Sequence, residues 1–153
     1  MAVLVDIVFD CAHPASLARF WAAVLDDYAV APYDDAELAR LTSLGVTDTE
    51  DDPTVLVEST RSGPRLWFQR VPEPKTTKNR IHLDVRATDR QNEVERLQAL
   101  GASVLDDQVD GLTVMCDPEA NEFCVIDKAV GVRWFDPSSP SIGIRQPRRP
   151  PGR

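Results

Sequence analysis

Apolar and polar positions alternate along several short stretches of this chain, and the period of the alternation changes between them. In residues 80–86, Ile81, Leu83 and Val85 fall on one side of an extended strand, and His82, Asp84 and Arg86 on the other. The opening run at 3–9 repeats this, with Val5, Ile7 and Phe9 set against Asp6, Val8 and Asp10. In 65–71, Leu66 and Phe68 oppose Trp67 and Gln69; in 122–127, Phe123 and Val125 oppose Glu122, Cys124 and Ile126. Each such strand commits one side to a core and leaves the other to solvent or a groove. Helical spacing takes over behind Pro14, where Leu17, Phe20, Trp21, Val24 and Leu25 form a stripe that Asp26 and Asp27 end. A second stripe, Val94, Leu97 and Leu100, stops at Gly101, and Thr88 with Gln91 predicts a capping box at its start.

Taken in order, these elements make a strand, a helix and three strands, twice over. Module one spans 1–72: strand 3–9, the helix from Pro14, a short strand within 28–33, then strands at 54–59 and 65–71 around the turn at 61–64. Residues 35–44 read as an additional helix closed by Gly45, an insertion near 35–45 that a minimal βαβββ unit does not need. A polar, proline-bearing linker at 72–79 leads to module two, 78–128, with strands at 80–86, about 102–106, 111–116 and 122–127. The fold class predicted is α+β. Residues 136–153 form a Pro/Arg-rich tail with no buried pattern, and Trp134 and Phe135 are candidates to pin its start to the domain or to a second subunit.

Composition narrows the setting. The net charge is −8, and residues 26–52 hold Asp26, Asp27, Asp34, Asp35, Glu37, Asp48, Glu50, Asp51 and Asp52 against Arg40 alone. An acidic body repels phosphate backbones, so no nucleic-acid partner is expected. No apolar run reaches the roughly 18 residues of a membrane span, and no membrane association is expected. The start of the chain lacks the basic and apolar pattern of a leader peptide. The 3 cysteines show no paired spacing. Together these predict a cytoplasmic protein.

The run DPEANEFC at 117–124, the helix motif FWAAVL at 20–25 and the doubled βαβββ order resemble the glyoxalase/bleomycin-resistance/dioxygenase superfamily, the vicinal oxygen chelate fold, and within it the glyoxalase-like domain proteins. The resemblance spans roughly 3–127. It implies that the two mixed sheets curl into a cup-shaped half-barrel with helices outside, forming one glyoxalase-like domain over 1–135. It also implies a divalent metal at the cup's centre in many members, with ligands from the first and last strands of each module. Carried over residue by residue, those positions fall on Asp6, Gln69, His82 and Cys124, and zinc, nickel or iron are the candidate ions. Cys124 stands where the family's glutamate often ends the motif. Ala120 replaces the usual glycine, so the turn must avoid positive φ or bear strain.

The candidate ligand-binding set is therefore Asp6, Trp67, Gln69, His82, Asp84 and Cys124, with His82 as the candidate catalytic residue. Asp84 orients His82 only if neighbouring strands bring it round, since side chains at i and i+2 lie roughly parallel. Lys75, Lys78 and Arg80 cluster beside the groove strand; a solvated linker is the default reading, with attraction of an anionic ligand as the alternative. The reading that results is a small-molecule-binding protein holding a small polar metabolite or drug. The alternative is a metal-dependent lyase, isomerase or dioxygenase of the same superfamily. A purely structural domain leaves the polar strand faces unexplained. The resemblance further implies a homodimer, and three tryptophans in a short chain agree with surface left to bury.

Overall fold

The computed structural model describes residues 1–107 and 111–127, so the tail at 136–153, with Trp134 and Phe135, lies outside the described residues. Two βαβββ modules follow one another. Module one contains β1 (Asp6–Cys11), α1 (Pro14–Val24), β2 (Tyr28–Val30), β3 (Thr54–Ser59) and β4 (Arg65–Arg70). Module two contains β5 (Leu83–Ala87), α3 (Arg90–Ala99), β6 (Ser103–Asp106), β7 (Leu112–Cys116) and β8 (Glu122–Asp127). Between β2 and β3 lies α2 (Asp35–Ser43), the insertion expected at 35–45, capped by the Asp34 carboxylate accepting from the Glu37 amide. The strand orders are the same in both modules, β1-β4-β3-β2 and β5-β8-β7-β6. The outermost pair of each, β1 with β4 and β5 with β8, is parallel, and the remaining pairs are antiparallel. Neither sheet closes on itself; each is an open, curved layer with its helix on one face. No helix among the described residues is long and apolar enough to cross a membrane.

One core joins the modules. Leu17, Phe20 and Trp21 of α1 pack in the same cluster as Val57, Leu66 and Phe68 of module one and Leu97, Met115, Phe123 and Val125 of module two. Phe123 lies 5.3 Å from the Trp21 ring and 6.3 Å from the Phe20 ring, both edge-on. The apolar sides predicted for β4 and β8 are thus the buried sides, and the opposite faces of both sheets point away from the shared core. A smaller cluster of Leu112, Val114, Cys124 and Ile126 covers part of that outward face in module two.

Several boundaries differ from expectation. The first strand begins at Asp6, and Val3, Leu4 and Val5 are exposed because they lie before the β1–β4 pairing. The fifth strand begins at Leu83, so Ile81 is exposed and takes no part in the core. The second strand ends at Val30, before Pro32, whose missing N–H cannot extend the ladder. The capping box at Thr88 and Gln91 does not form. Asp89 is the N-cap instead, accepting from the Asn92 amide at 3.1 Å and its side-chain amide at 2.6 Å. Asp is as strong a cap as Thr and also suits the positive end of the helix. Ala120 does sit at φ 66, so the turn bears the strain foreseen for a residue with a Cβ.

Candidate functional site

β5 and β8 run parallel in a register that sets Asp84 beside Cys124. Both side chains leave the sheet on the outward face, with the Cys124 sulfur within 4.8 Å of an Asp84 carboxylate oxygen. His82 precedes β5, so its ring is not held parallel to Asp84 as an unbroken strand over 80–86 requires. It turns back until Nε2 lies 3.4 Å from Asp84 Oδ1. One ligand atom from each of His82, Asp84 and Cys124 then falls within 4.8 Å of the others. Where the strand starts decides whether Asp84 can orient His82, and it starts at Leu83, three residues later than expected and just past His82.

The electrostatics follow from burial. Cys124 is buried, and desolvation, reinforced by the nearby Asp84 charge, pushes its thiol up to about 12. Burial also raises the Asp84 pKa, while His82 and the Cys124 hydrogen bond pull it back. The thiol is therefore a neutral donor at neutral pH, and the carboxylate sits between an imidazole and a sulfur. This donor set of nitrogen, oxygen and sulfur fits a zinc-type ion by chemistry, and a bound cation would draw the thiol proton off.

The module one candidates sit on the other sheet. β1 and β4 pair Asp6 with Arg65, Val8 with Trp67 and Asp10 with Gln69. Both Asp6 oxygens accept from the Arg65 guanidinium, at 2.7 Å from Nε and 3.0 Å from Nη2. Those hydrogen bonds hold the carboxyl below its usual range. The same guanidinium lies 5.9 Å from the centroid of the Trp67 ring. Gln69 is exposed at the end of β4. Within one chain the structure thus brings His82, Asp84 and Cys124 together, while Asp6, Trp67 and Gln69 share the outward face of module one. Trp67 also lines a hollow of about 270 Å³ with Tyr33, Asp34 and Glu58, built partly by the segment leading into α2.

Two polar networks were not foreseen. Asp117, buried in the turn after β7, accepts from the Trp21 indole N–H at 3.1 Å and from Asn121 and Glu119 amides at 2.9 Å. Glu119 accepts from the backbone amides of Ala12 and His13 at 2.6 and 2.7 Å, docking the turn of module two on the start of α1. His13 makes no side-chain cap, so Glu119 supplies from a distance the acceptor that position lacks. The Asp-Pro start of DPEAN signals a turn, but nothing local points to helix α1. In module one, Asp52 is buried and accepts from Arg40, Tyr33 and the Thr54 amide, pinning α2 to β3.

The model of the "Glyoxalase-like domain" family matches residues 6–126. Solved structures share the fold at low identity. A glyoxalase/bleomycin resistance protein/dioxygenase family enzyme from Burkholderia phytofirmans is 13% identical, with a TM-score of 0.56 over 82% of this chain and 98% of its own. The fosfomycin resistance protein FosX from Mesorhizobium loti is 12% identical, with a TM-score of 0.58 over 82% and 91%. The trypanothione-dependent glyoxalase I of Leishmania major is 10% identical, with a TM-score of 0.54 over 83% and 87%. No curated protein matches the chain in sequence.

Proposed function

Because the chain belongs to the glyoxalase-like domain family, we propose that it is a small-molecule-binding protein that holds a polar metabolite or drug against the outward faces of its sheets. The observation that carries this reading is the Asp6–Arg65 pair. The family's first-strand ligand position falls on Asp6, whose two oxygens are both engaged by one guanidinium. Gln69 offers only a neutral amide. Module one therefore contributes recognition groups, a charged fork, an aromatic face and an amide, rather than metal ligands. Module two contributes His82 and Asp84, half-exposed at the side-chain level, as an imidazole–carboxylate pair able to donate to or accept from a ligand hydroxyl or carbonyl.

A second copy completes the cup in this reading. The outward faces of the two sheets flank a common core and do not face each other within one chain. A twofold pair would set module one of one copy against module two of the other, uniting Asp6, Trp67 and Gln69 with His82, Asp84 and Cys124. Three buried, unpaired cysteines suit a reducing compartment, and the cytoplasm is the proposed location.

One observation favours a second reading, a metal-dependent lyase, isomerase or dioxygenase. The three donors of module two already lie within 4.8 Å of one another. His82, Asp84 and Cys124 would hold zinc, nickel or iron, and such an ion supplies Lewis acidity toward vicinal oxygens. Asp84 would fix the imidazole tautomer, and His82 would hold a proton at Nε2. Elemental analysis of protein purified without chelator separates the readings. The binding reading expects no stoichiometric metal. It also expects His82→Ala to keep the fold while weakening a small polar ligand found by thermal-shift screening. One equivalent of metal, lost in His82→Ala, puts the metalloenzyme first.

A further inference from the structure

A cavity of about 410 Å³ lies at the end of the module two sheet, between the 72–79 linker and the turn at 117–121. The linker lines it with Lys75, Thr76, Thr77 and Lys78, and Ser103 of β6 and Cys116 of β7 also line it. Lys75 is engaged: its ammonium donates to the Thr77 carbonyl at 2.6 Å and to the Glu122 carboxylate at 3.2 Å. Lys78 differs. It is half-buried, yet among the described residues no carboxylate pairs with it. It lines the cavity beside Cys116, and its charge offsets part of the rise in the Cys116 and Cys124 thiol pKa values. An ammonium on a cavity wall with no carboxylate paired to it is available to an acceptor from outside.

The two acids of the lining do not oppose such an acceptor strongly. Glu122 is bound by Lys75 and by the Asn79 amide at 2.9 Å, and Asp117 is turned inward to Trp21 and Asn121. Three hydroxyls remain beside Lys78. The candidate site lies on the same face of the sheet: Cys116 and Glu122 of the cavity wall pair across β7 and β8, and Cys124 follows Glu122 by two residues.

We propose that this cavity binds the oxyanion group, carboxylate or phosphate, of a small molecule, with Lys78 as its charge partner and the Thr76, Thr77 and Ser103 hydroxyls as donors. It rests on the small-molecule reading above and narrows it: the ligand is an anion whose charged end sits at Lys78 and whose polar body reaches His82. The lysine holds the anion as a point charge, and the hydroxyls adapt to either oxyanion geometry.

The test is a nitrogen-15 NMR titration of the full chain with sodium phosphate and, separately, sodium acetate, each against sodium chloride at matched ionic strength. Saturable amide shifts confined to 75–78 and 103 are expected with at least one of the two, and the stronger names the group. Lys78→Ala weakens that binding about tenfold, the scale of one charge-assisted hydrogen bond. Lys78→Gln, which keeps the stem without the charge, does the same, and Lys78→Arg retains binding. Shifts no larger than chloride's, shifts confined to the arginine-bearing tail, or wild-type binding retained in Lys78→Ala and Lys78→Gln overturn the proposal. Loss of the anion arm alone leaves the His82 reading standing. Anion binding that persists while no ligand responds to His82→Ala rejects that reading instead.

Discussion

Asp117 shows how much one side chain can decide in this fold. It is 3% exposed and collects donors from Trp21, Glu119 and Asn121, joining the turn of one module to the helix of the other. Desolvation nevertheless outweighs those donors and raises its pKa above the usual 3.8. A carboxyl whose folded pKa is raised contributes stability that is fully present below the unfolded pKa and lost as pH rises through the folded one. Asp117→Asn removes that titration and turns an amide N–H toward the Trp21 N–H, so it should cost about 2 kcal/mol near neutrality. The gap between wild type and variant should then widen as pH falls from 7 toward about 4. Urea denaturation at the two pH values checks this. A gap that narrows on acidification would mean that the hydrogen bonds dominate and the carboxyl is stabilised as the anion. Cys11 belongs to the same scale: burial first, then the charges of Glu119, Asp10 and Asp117, push its thiol up to about 12.

Among the elements, α3 separates what a local pattern says from what the chain does. Thr88 and Gln91 have the spacing of a capping box, yet Asp89 caps the helix one residue later. The two registers differ by a single residue, and the helix that buries Val94 and Leu97 in the core begins with Asp89 as its cap. Asp89→Ala should therefore destabilise by about 1 kcal/mol, and Thr88→Ala by a few tenths at most. Thermal or chemical denaturation of both variants distinguishes the caps, and equal losses would count against the Asp89 assignment. The pattern of alternation sufficed for β4 and β8, whose neighbours in sequence share their fate in space. It failed at Ile81 and His82, since whether a residue lies inside a strand depends on a partner forty positions away in β8. The closeness of His82, Asp84 and Cys124 was hidden for that same reason. The docking of Glu119 on Ala12 and His13 spans more than a hundred residues and leaves no periodic trace at all.

The whole molecule is one core with two outward faces, and that arrangement bears directly on assembly. Val8 and Ile81 are exposed apolar residues, and Trp67, Val8 and Leu56 lie on the outward face of module one beside the Asp6–Arg65 pair. A lone chain offers these groups to water, whereas a twofold pair that closes the cup buries them against module two of its partner. The expectation is a homodimer at micromolar concentration, read by sedimentation velocity as roughly twice the 17.0 kDa chain mass. Val8→Glu adds a charge on the β1 edge of the module one face without touching the core side of β1, so it should shift the sample toward monomer. Because Val8 is 56% exposed, the fold should survive in that variant. Circular dichroism establishes the folding, and sedimentation then decides the interface. A monomer in the wild type rejects the paired cup outright. A dimer untouched by Val8→Glu places the contact elsewhere and leaves each outward face to bind its ligand without help from a second copy.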